Sequence, residues 1–294
     1  MRLFVRVVER RNFRAAAADL GLPRSSATAG IKALEAELGA ALLRRTTRHV
    51  APTEEGEAYH RHCVSVLADI DDAEAALRGG GGNALGVLRV DTNAHLARTW
   101  LLPELPRFLE RHPGLRFHLG EGDRLVNLVR EGVDCVIRGG EIDDSDLMIR
   151  RLGLLAEVTC ASPAYLARHG TPSTTDDLAG HEMVGFVSSR TGGALPLGFV
   201  INGRVREVTL PARVTASSSD SCAVLARLGL GLVQAPLIRF ADDLKTGAMV
   251  EVLRPFRPTP LPVSLLYPRT RLVPSRLRAF IDWLDEVLVP HLTD

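Results

Sequence analysis

Residues 12–38, NFRAAAADLGLPRSSATAGIKALEAEL, restrict what this chain can fold into more than any other stretch. Phe13, Ala16, Ala17 and Leu20 recur at the i, i+3, i+4, i+7 spacing that puts apolar groups on one helix face. Asn12 is placed to cap that helix, because its side-chain oxygen can accept from an otherwise unpaired N–H. Gly21-Leu22-Pro23 then breaks it: glycine tolerates left-handed dihedrals and proline resists a helix interior. A second helix follows, with Ala27, Ile31, Leu34 and Leu38 on its inner stripe and Arg24, Ser25, Ser26, Thr28 and Lys32 on its outer face. Two short helices about a tight turn form a helix-turn-helix. Cations and small hydroxyls at the start of the second helix are the groups that reach base edges and phosphates in a major groove. With Arg14 on the first helix, they are the candidate DNA-binding set.

The bland alternative is a surface hairpin whose arginines are merely solvated. Charge placement argues against it. Residues 1–52 carry nine arginines and Lys32 against Glu9, Asp19, Glu35 and Glu37, a net of about +6. The whole chain is +1, so the rest sums to about −5. A basic head on a mildly acidic body suits a phosphate-binding module joined to a separate sensing module.

The rest of the sequence narrows the class. The 294 residues are enough for two or three domains. Cys63, Cys135, Cys160 and Cys222 lie far apart with no CxxC pair, so neither a metal site nor a disulfide framework is expected, and no cofactor is implied. No apolar run reaches the length of a membrane span and no signal peptide opens the chain, so a cytoplasmic protein with no membrane partner is expected. An enzyme on the later α/β body is disfavoured by the absence of GxSxG, HExxH and GxxxxGK[ST] motifs. A binding or transport protein without DNA activity would not need the basic head.

Taken in order, residues 2–10 form a first helix with Phe4, Val7 and Val8 on one side. After the helix-turn-helix, Arg44, Arg45, Thr47 and Arg48 fall on a short β-wing suited to gripping phosphates or entering the minor groove. Thr53 caps a long helix running to about residue 77. Within it Tyr59, Cys63, Val66, Ile70, Ala73 and Leu77 alternate at steps of four and three, the a/d seam of a coiled coil. It predicts pairing of two chains, and so a roughly palindromic DNA site. Four glycines at 79–82 read as a hinge spanning 79–84. From residue 85 strands and helices alternate: helices at 96–111, 124–131, 163–169, 219–228 and 274–288, and strands at 87–90, 117–119, 135–138, 157–161, 183–187, 232–235 and 262–267, with a hairpin near 199–210. Such alternation predicts largely parallel sheets with helices on both faces.

Laid end to end, these residues resemble a LysR-type transcriptional regulator over essentially the full length. The match runs through Phe13, Ala15, Ala16, Ala17 and Leu20, then Ile31, Leu34-Glu35 and Leu38-Gly39, LLRRTTR at 42–48, and Thr53 with Gly56. It continues in GVLRV at 86–90, LVREGVD at 128–134, IRGG at 137–140, ASPAYL at 161–166, GTP at 170–172 and GLG at 229–231. The resemblance implies a winged helix-turn-helix at 1–52, a linker and dimerisation helix at 53–78, and the hinge. It then implies a periplasmic-binding-protein-like effector domain at 85–294. Its lobes would be 85–160 with 264–294, and 161–263, the chain crossing between them near 158–162 and 262–266. It also implies double-stranded DNA and a small-molecule effector as partners, and a homodimer or homotetramer. Three departures stand out: a first helix that starts almost at Met1, Ser25 and Ala29 in the reading helix where the family more often has proline and a polar residue, and Gln234-Ala235 ahead of Pro236.

Effectors in such α/β folds bind beyond the carboxyl ends of strands, where helix N-termini offer free N–H groups. Thr92 and Asn93, Arg138, Ser217, Ser218 and Ser219, and Pro236 satisfy that placement. Hydroxyls, backbone donors and one guanidinium suit a small carboxylate or other anion. The plainer reading is that Arg138 ties elements together and the serines cap a helix.

Overall fold

The computed structural model describes residues 1–45, 50–77, 84–142, 146–269 and 273–293. Three helices open it, α1 (Arg2–Arg10), α2 (Phe13–Asp19) and α3 (Arg24–Leu38). Strands β1 (Leu43–Arg45) and β2 (Val50–Pro52) follow as an antiparallel wing, Arg44 opposite Ala51. Asn12 starts α2 as its side chain dictates, accepting from the N–H groups of Arg14 and Ala15 at 2.8 and 3.1 Å. Phe4, Val7, Ala16, Ile31 and Leu42 are buried together beneath them. Leu38, expected on the same stripe, is 44% exposed, because α3 ends there and Gly39 turns left-handed. Glu35 ties the wing to α3: one carboxylate oxygen accepts from the N–H groups of Leu42 and Leu43 at 3.0 and 3.1 Å.

Helix α4 (Glu54–Leu77) leaves the wing at Thr53, whose hydroxyl accepts from the Gly56 N–H at 2.9 Å and donates to the Ala41 carbonyl at 2.7 Å. Gly56 lies against the wing backbone. A Cβ there would stand 1.9 Å from the Leu42 carbonyl oxygen, so no larger residue fits.

The remaining chain begins with β3 (Gly86–Thr92), α5 (Ala94–Leu96), a π-turn at Ala97–Leu101, α6 (Leu102–Arg111), β4 (Leu115–Glu121), α7 (Leu128–Glu131), β5 (Cys135–Gly139) and β6 (Leu147–Leu155). Next come β7 (Glu157–Ala161), α8 (Pro163–His169), β8 (Val184–Phe186), β9 (Leu197–Ile201), β10 (Arg204–Val208), β11 (Val214–Ala216) and α9 (Ser219–Arg227). The chain closes with β12 (Val233–Pro236), α10 (Ala241–Thr246), β13 (Val250–Val252), β14 (Leu261–Pro268) and α11 (Ser275–Val287). One sheet has the order β4-β3-β5-β14-β6, another β12-β7-β13, with a pair β8-β11 and a hairpin β9-β10 beside it.

The largely parallel sheets expected from the alternation are not what forms. Strand β3 runs parallel to β4 and β5, but β14 is antiparallel to both β5 and β6, and β7 is antiparallel to both its neighbours. The returning strand β14 enters the first sheet from its far end, which reverses its direction. The expected helix at 124–131 shrinks to α7, because the Asn127 side chain caps the Arg130 N–H at 2.9 Å and holds the preceding residues out of the helix. The chain leaves the first sheet after Leu155, which pairs with Leu261, and joins the second at Glu157, which pairs with Pro236. Both crossings therefore fall a few residues earlier than 158–162 and 262–266, and the first sheet's share ends at 155 rather than 160. Its core is aromatic, with Phe108 and Trp283 ring centroids 4.7 Å apart, and Arg276 is buried on Asp134 at 2.8 Å.

Candidate functional site

The outer face of α3 is open. Arg24, Ser25, Ser26 and Lys32 are exposed, and Arg24, Ser25, Thr28, Ala29 and Lys32 line one shallow surface concavity. Thr28 is half-buried and donates its hydroxyl to the Arg24 carbonyl at 3.3 Å. Arg24 and Lys32 have no acidic partner among the described residues, whereas Arg10 of α1 is held by Asp19 at 2.7 Å. Arg14 on α2 and Arg44 on the wing are exposed as well. Thr47, Arg48 and the side chain of Arg45 lie outside the described residues.

The a/d seam of α4 divides. Tyr59 packs on Phe4, ring centroids 5.5 Å apart, and Cys63 is fully buried with the same head core. Burial pushes the Cys63 thiol upward. Cys63 therefore belongs to the head's own interior and is not available as a dimer seam, a correction to the heptad reading, while Tyr59 is partly buried against the same core. Farther along, Val66 is half-buried and Ile70 is 43% exposed, and the side chains of Ala73 and Leu77 lie outside the described residues.

Between the two sheets lies a cavity of about 570 Å³, in the range of pockets that hold small organic ligands. Asn93, Arg138, Ser219 and Pro236 are in its wall. Thr92, Ser217 and Ser218 are not: Thr92 is fully buried, Ser217 points to solvent, and Ser218 caps α9 through the Ser221 N–H. Arg138 forms an ion pair with Asp91 and donates to the Arg124 carbonyl at 3.0 Å, and its Nε–H has no partner among the described residues.

A polar cluster joins the lobes at the cavity's edge. Asn93 caps α5 by accepting from His95 and Leu96, and its amide donates to Asp123 at 2.5 Å and to the Ser219 hydroxyl at 2.9 Å. The Asp123 carboxylate accepts from both the N–H and the hydroxyl of Ser219 at 2.8 Å. Arg239, only 6% exposed, pairs with Asp220 and reaches Asn93 at 3.2 Å and Ser219 at 3.1 Å. Burial, and after it the nearby Arg239, lower the His95 pKa. Asp123, Arg239 and Glu157 were not among the residues singled out from sequence. Glu157 carried a signal, a lone acid inside the apolar run LGLLAEVTC. Among the described residues no group of acids, cysteines and histidines is arranged to hold a metal ion, and no helix is long and apolar enough to cross a membrane.

A winged helix-turn-helix followed by a two-lobed, ligand-sized cleft defines a sensor-type transcription factor. Comparison with known proteins makes the class specific. A model for bacterial regulatory helix-turn-helix proteins of the lysR family matches residues 1–57, and one for the LysR substrate binding domain matches residues 81–289. The chain belongs to the LysR family of transcriptional regulators, which are not enzymes. It is 37% identical to the HTH-type transcriptional regulator YhjC of Escherichia coli, over 99% of this chain and 98% of that protein. It is 34% identical to an HTH-type transcriptional repressor of Pseudomonas aeruginosa, over 99% of this chain and 92% of that one. The structure of CrgA, a LysR-type regulator from Neisseria meningitidis, matches with a TM-score of 0.60 at 34% identity, covering 97% of this chain and 96% of that chain.

Proposed function

We propose that α3 reads a roughly palindromic operator through Arg24, Ser25, Ser26, Thr28 and Lys32, with Arg14 and the wing residues Arg44, Arg45, Thr47 and Arg48 holding phosphates. The head, residues 1–52, works as a pair joined through α4, with Val66, Ile70, Ala73 and Leu77 as the contact stripe. Pairing through the bodies makes a homotetramer the alternative to a homodimer. The interlobe cleft takes the small-molecule effector, with Asn93, Ser219 and Pro236 among its contacts. The protein acts in the cytoplasm, where its DNA lies. The carrying observation is the exposed cationic face of α3, on which Arg24 and Lys32 have no acidic partner among the described residues.

Footprinting on the DNA upstream of the protein's own coding region tests this. The expected result is a protected, two-fold related site that disappears in Arg24→Ala. Protection unchanged in Arg24→Ala and in Lys32→Ala would remove α3 as the reader.

A further inference from the structure

The cleft wall holds one carboxyl group with nothing to answer it. Glu157 sits where the chain passes from the first sheet to the second, and it lines the cavity. It has no hydrogen-bonding or ionic partner among the described residues. The wall it belongs to is apolar and partly aromatic, including Trp100, Leu155, Phe186, Leu197, Ile238 and Leu261. Trp100 is held there by the π-turn Ala97–Leu101 and stacks on His291 at 5.1 Å. Such π-turns break a regular helix at a local cost and are common at functional sites. An unanswered carboxylate in an apolar wall is also costly. Both features line the same cavity.

The other charges of the cavity do not favour an anion. Those facing it are His95, Asp123, Arg138, Glu141, Arg190 and Arg239. Arg138 is paired with Asp91 and Arg239 with Asp220, and Arg190 is engaged within the chain. The cavity wall holds three carboxyls, those of Asp123, Glu141 and Glu157, and three guanidiniums, of which Arg138 and Arg239 are already paired with the acids Asp91 and Asp220 behind the wall. Among the described residues Arg138 and Arg239 each keep an unpaired Nε–H, while their other two nitrogens are engaged within the chain. A cation would meet a carboxylate already bare.

We propose that the cleft's ligand is an apolar, ring-bearing amine whose protonated nitrogen sits on Glu157 while its ring packs against Trp100 and Phe186. This rests on the reading of the interlobe cleft as the effector site. A charge-assisted N–H···O bond formed away from bulk water is the contact that gives such a ligand its selectivity.

The test uses the full-length protein and three probes of one size and different charge: phenethylamine, phenylpropionate and phenethyl alcohol. Quenching of tryptophan fluorescence reports occupancy, since Trp100 lines the cavity. At about pH 7.5 phenethylamine is expected to bind at least roughly tenfold more tightly than phenylpropionate, the ratio expected for one charge-assisted contact. In Glu157→Gln that preference should fall to near unity while phenethyl alcohol still binds. Phenylpropionate or phenethyl alcohol binding as well as the amine, or an amine preference that survives Glu157→Gln, would overturn the amine assignment and leave the cleft as an effector site. No quenching by any probe would overturn the assignment and count against the cleft itself. The wild-type preference decides the matter even if the variant folds poorly.

Discussion

Glu157 also gives the sharpest stability test of the cleft. Burial alone raises its pKa from 4.5 to about 7. Between those values the native carboxyl holds a proton that the unfolded chain has released. Native stability is therefore fully present below about pH 4.5 and falls as pH rises through 7. The gap between about 4.5 and about 7 corresponds to roughly 3.5 kcal/mol at about 1.4 kcal/mol per pH unit, and the group's access to the cavity reduces this to about 2 kcal/mol. Glu157→Gln removes the ionisation and keeps the shape. The variant and the wild type should thus have equal stability at about pH 4.5, with the variant ahead by about 2 kcal/mol at pH 8, or roughly 4–8 °C in Tm. Tryptophan fluorescence in urea at a series of pH values is the assay. Trp100 and Trp283, the only two tryptophans, both belong to the first-sheet lobe of the effector body. The other groups facing the cavity are the same in both proteins, so their effects cancel in the difference. A gap between the two proteins that does not change with pH, or a variant less stable at pH 8, would refute the picture of an unanswered carboxyl.

Further expectations concern the head and its pairing. Arg24→Ala and Lys32→Ala should each lower the slope of log affinity against log salt by about one and weaken binding to all sequences if their contacts are to phosphate; a slope that stays fixed in both would place these side chains away from the backbone. Gly56→Ala should unfold or displace the head, because its Cβ would collide with the Leu42 carbonyl. Operator binding would then vanish while tryptophan-monitored melting stayed unchanged; a head that binds normally would contradict the close approach. Ile70→Glu, placing a charge on an exposed apolar position of α4, should shift the sedimentation profile from dimer toward monomer. An unchanged profile would move the pairing surface off α4.

The head was the most readable part because its elements are short and their periods pure. The stripe Phe13, Ala16, Ala17 marks a helix face, and Asn12 and Gly39 mark boundaries by chemistry that needs no tertiary partner. The α4 seam shows the limit of the same method. A heptad stripe says that a face is covered but not by what, and for Tyr59 and Cys63 the cover is the head's own core. Strand β6 gave no alternation to read: Met148 and Ile149 are consecutive and both exposed, at 38% and 46%. The strand-end rule located Asn93, Arg138, Ser219 and Pro236 in the cleft. It had no means of finding Glu157 or Asp123, which reach the site only because the chain crosses between sheets and the two lobes meet.

That meeting is where ligand occupancy can be converted into movement. Asp123 of the first lobe accepts three hydrogen bonds, one from Asn93 beside it and two from Ser219 of the other lobe. The bonds from Ser219 exist only while the lobes are together. A ligand shifts the balance between open and closed forms only by binding one of them better, and a ligand held by Glu157 near the crossover and by walls from both sheets does so. Asp123→Asn keeps the side chain's size but turns one of its two acceptors into a donor facing the Asn93 amide or the Ser219 N–H, donors themselves. The lobes of the unliganded variant should separate more often. Small-angle scattering would show this as a larger radius of gyration. Phenethylamine should bind more weakly by roughly the factor by which the closed population falls. A variant with an unchanged radius and unchanged amine affinity would mean that the cluster merely decorates a closure set elsewhere.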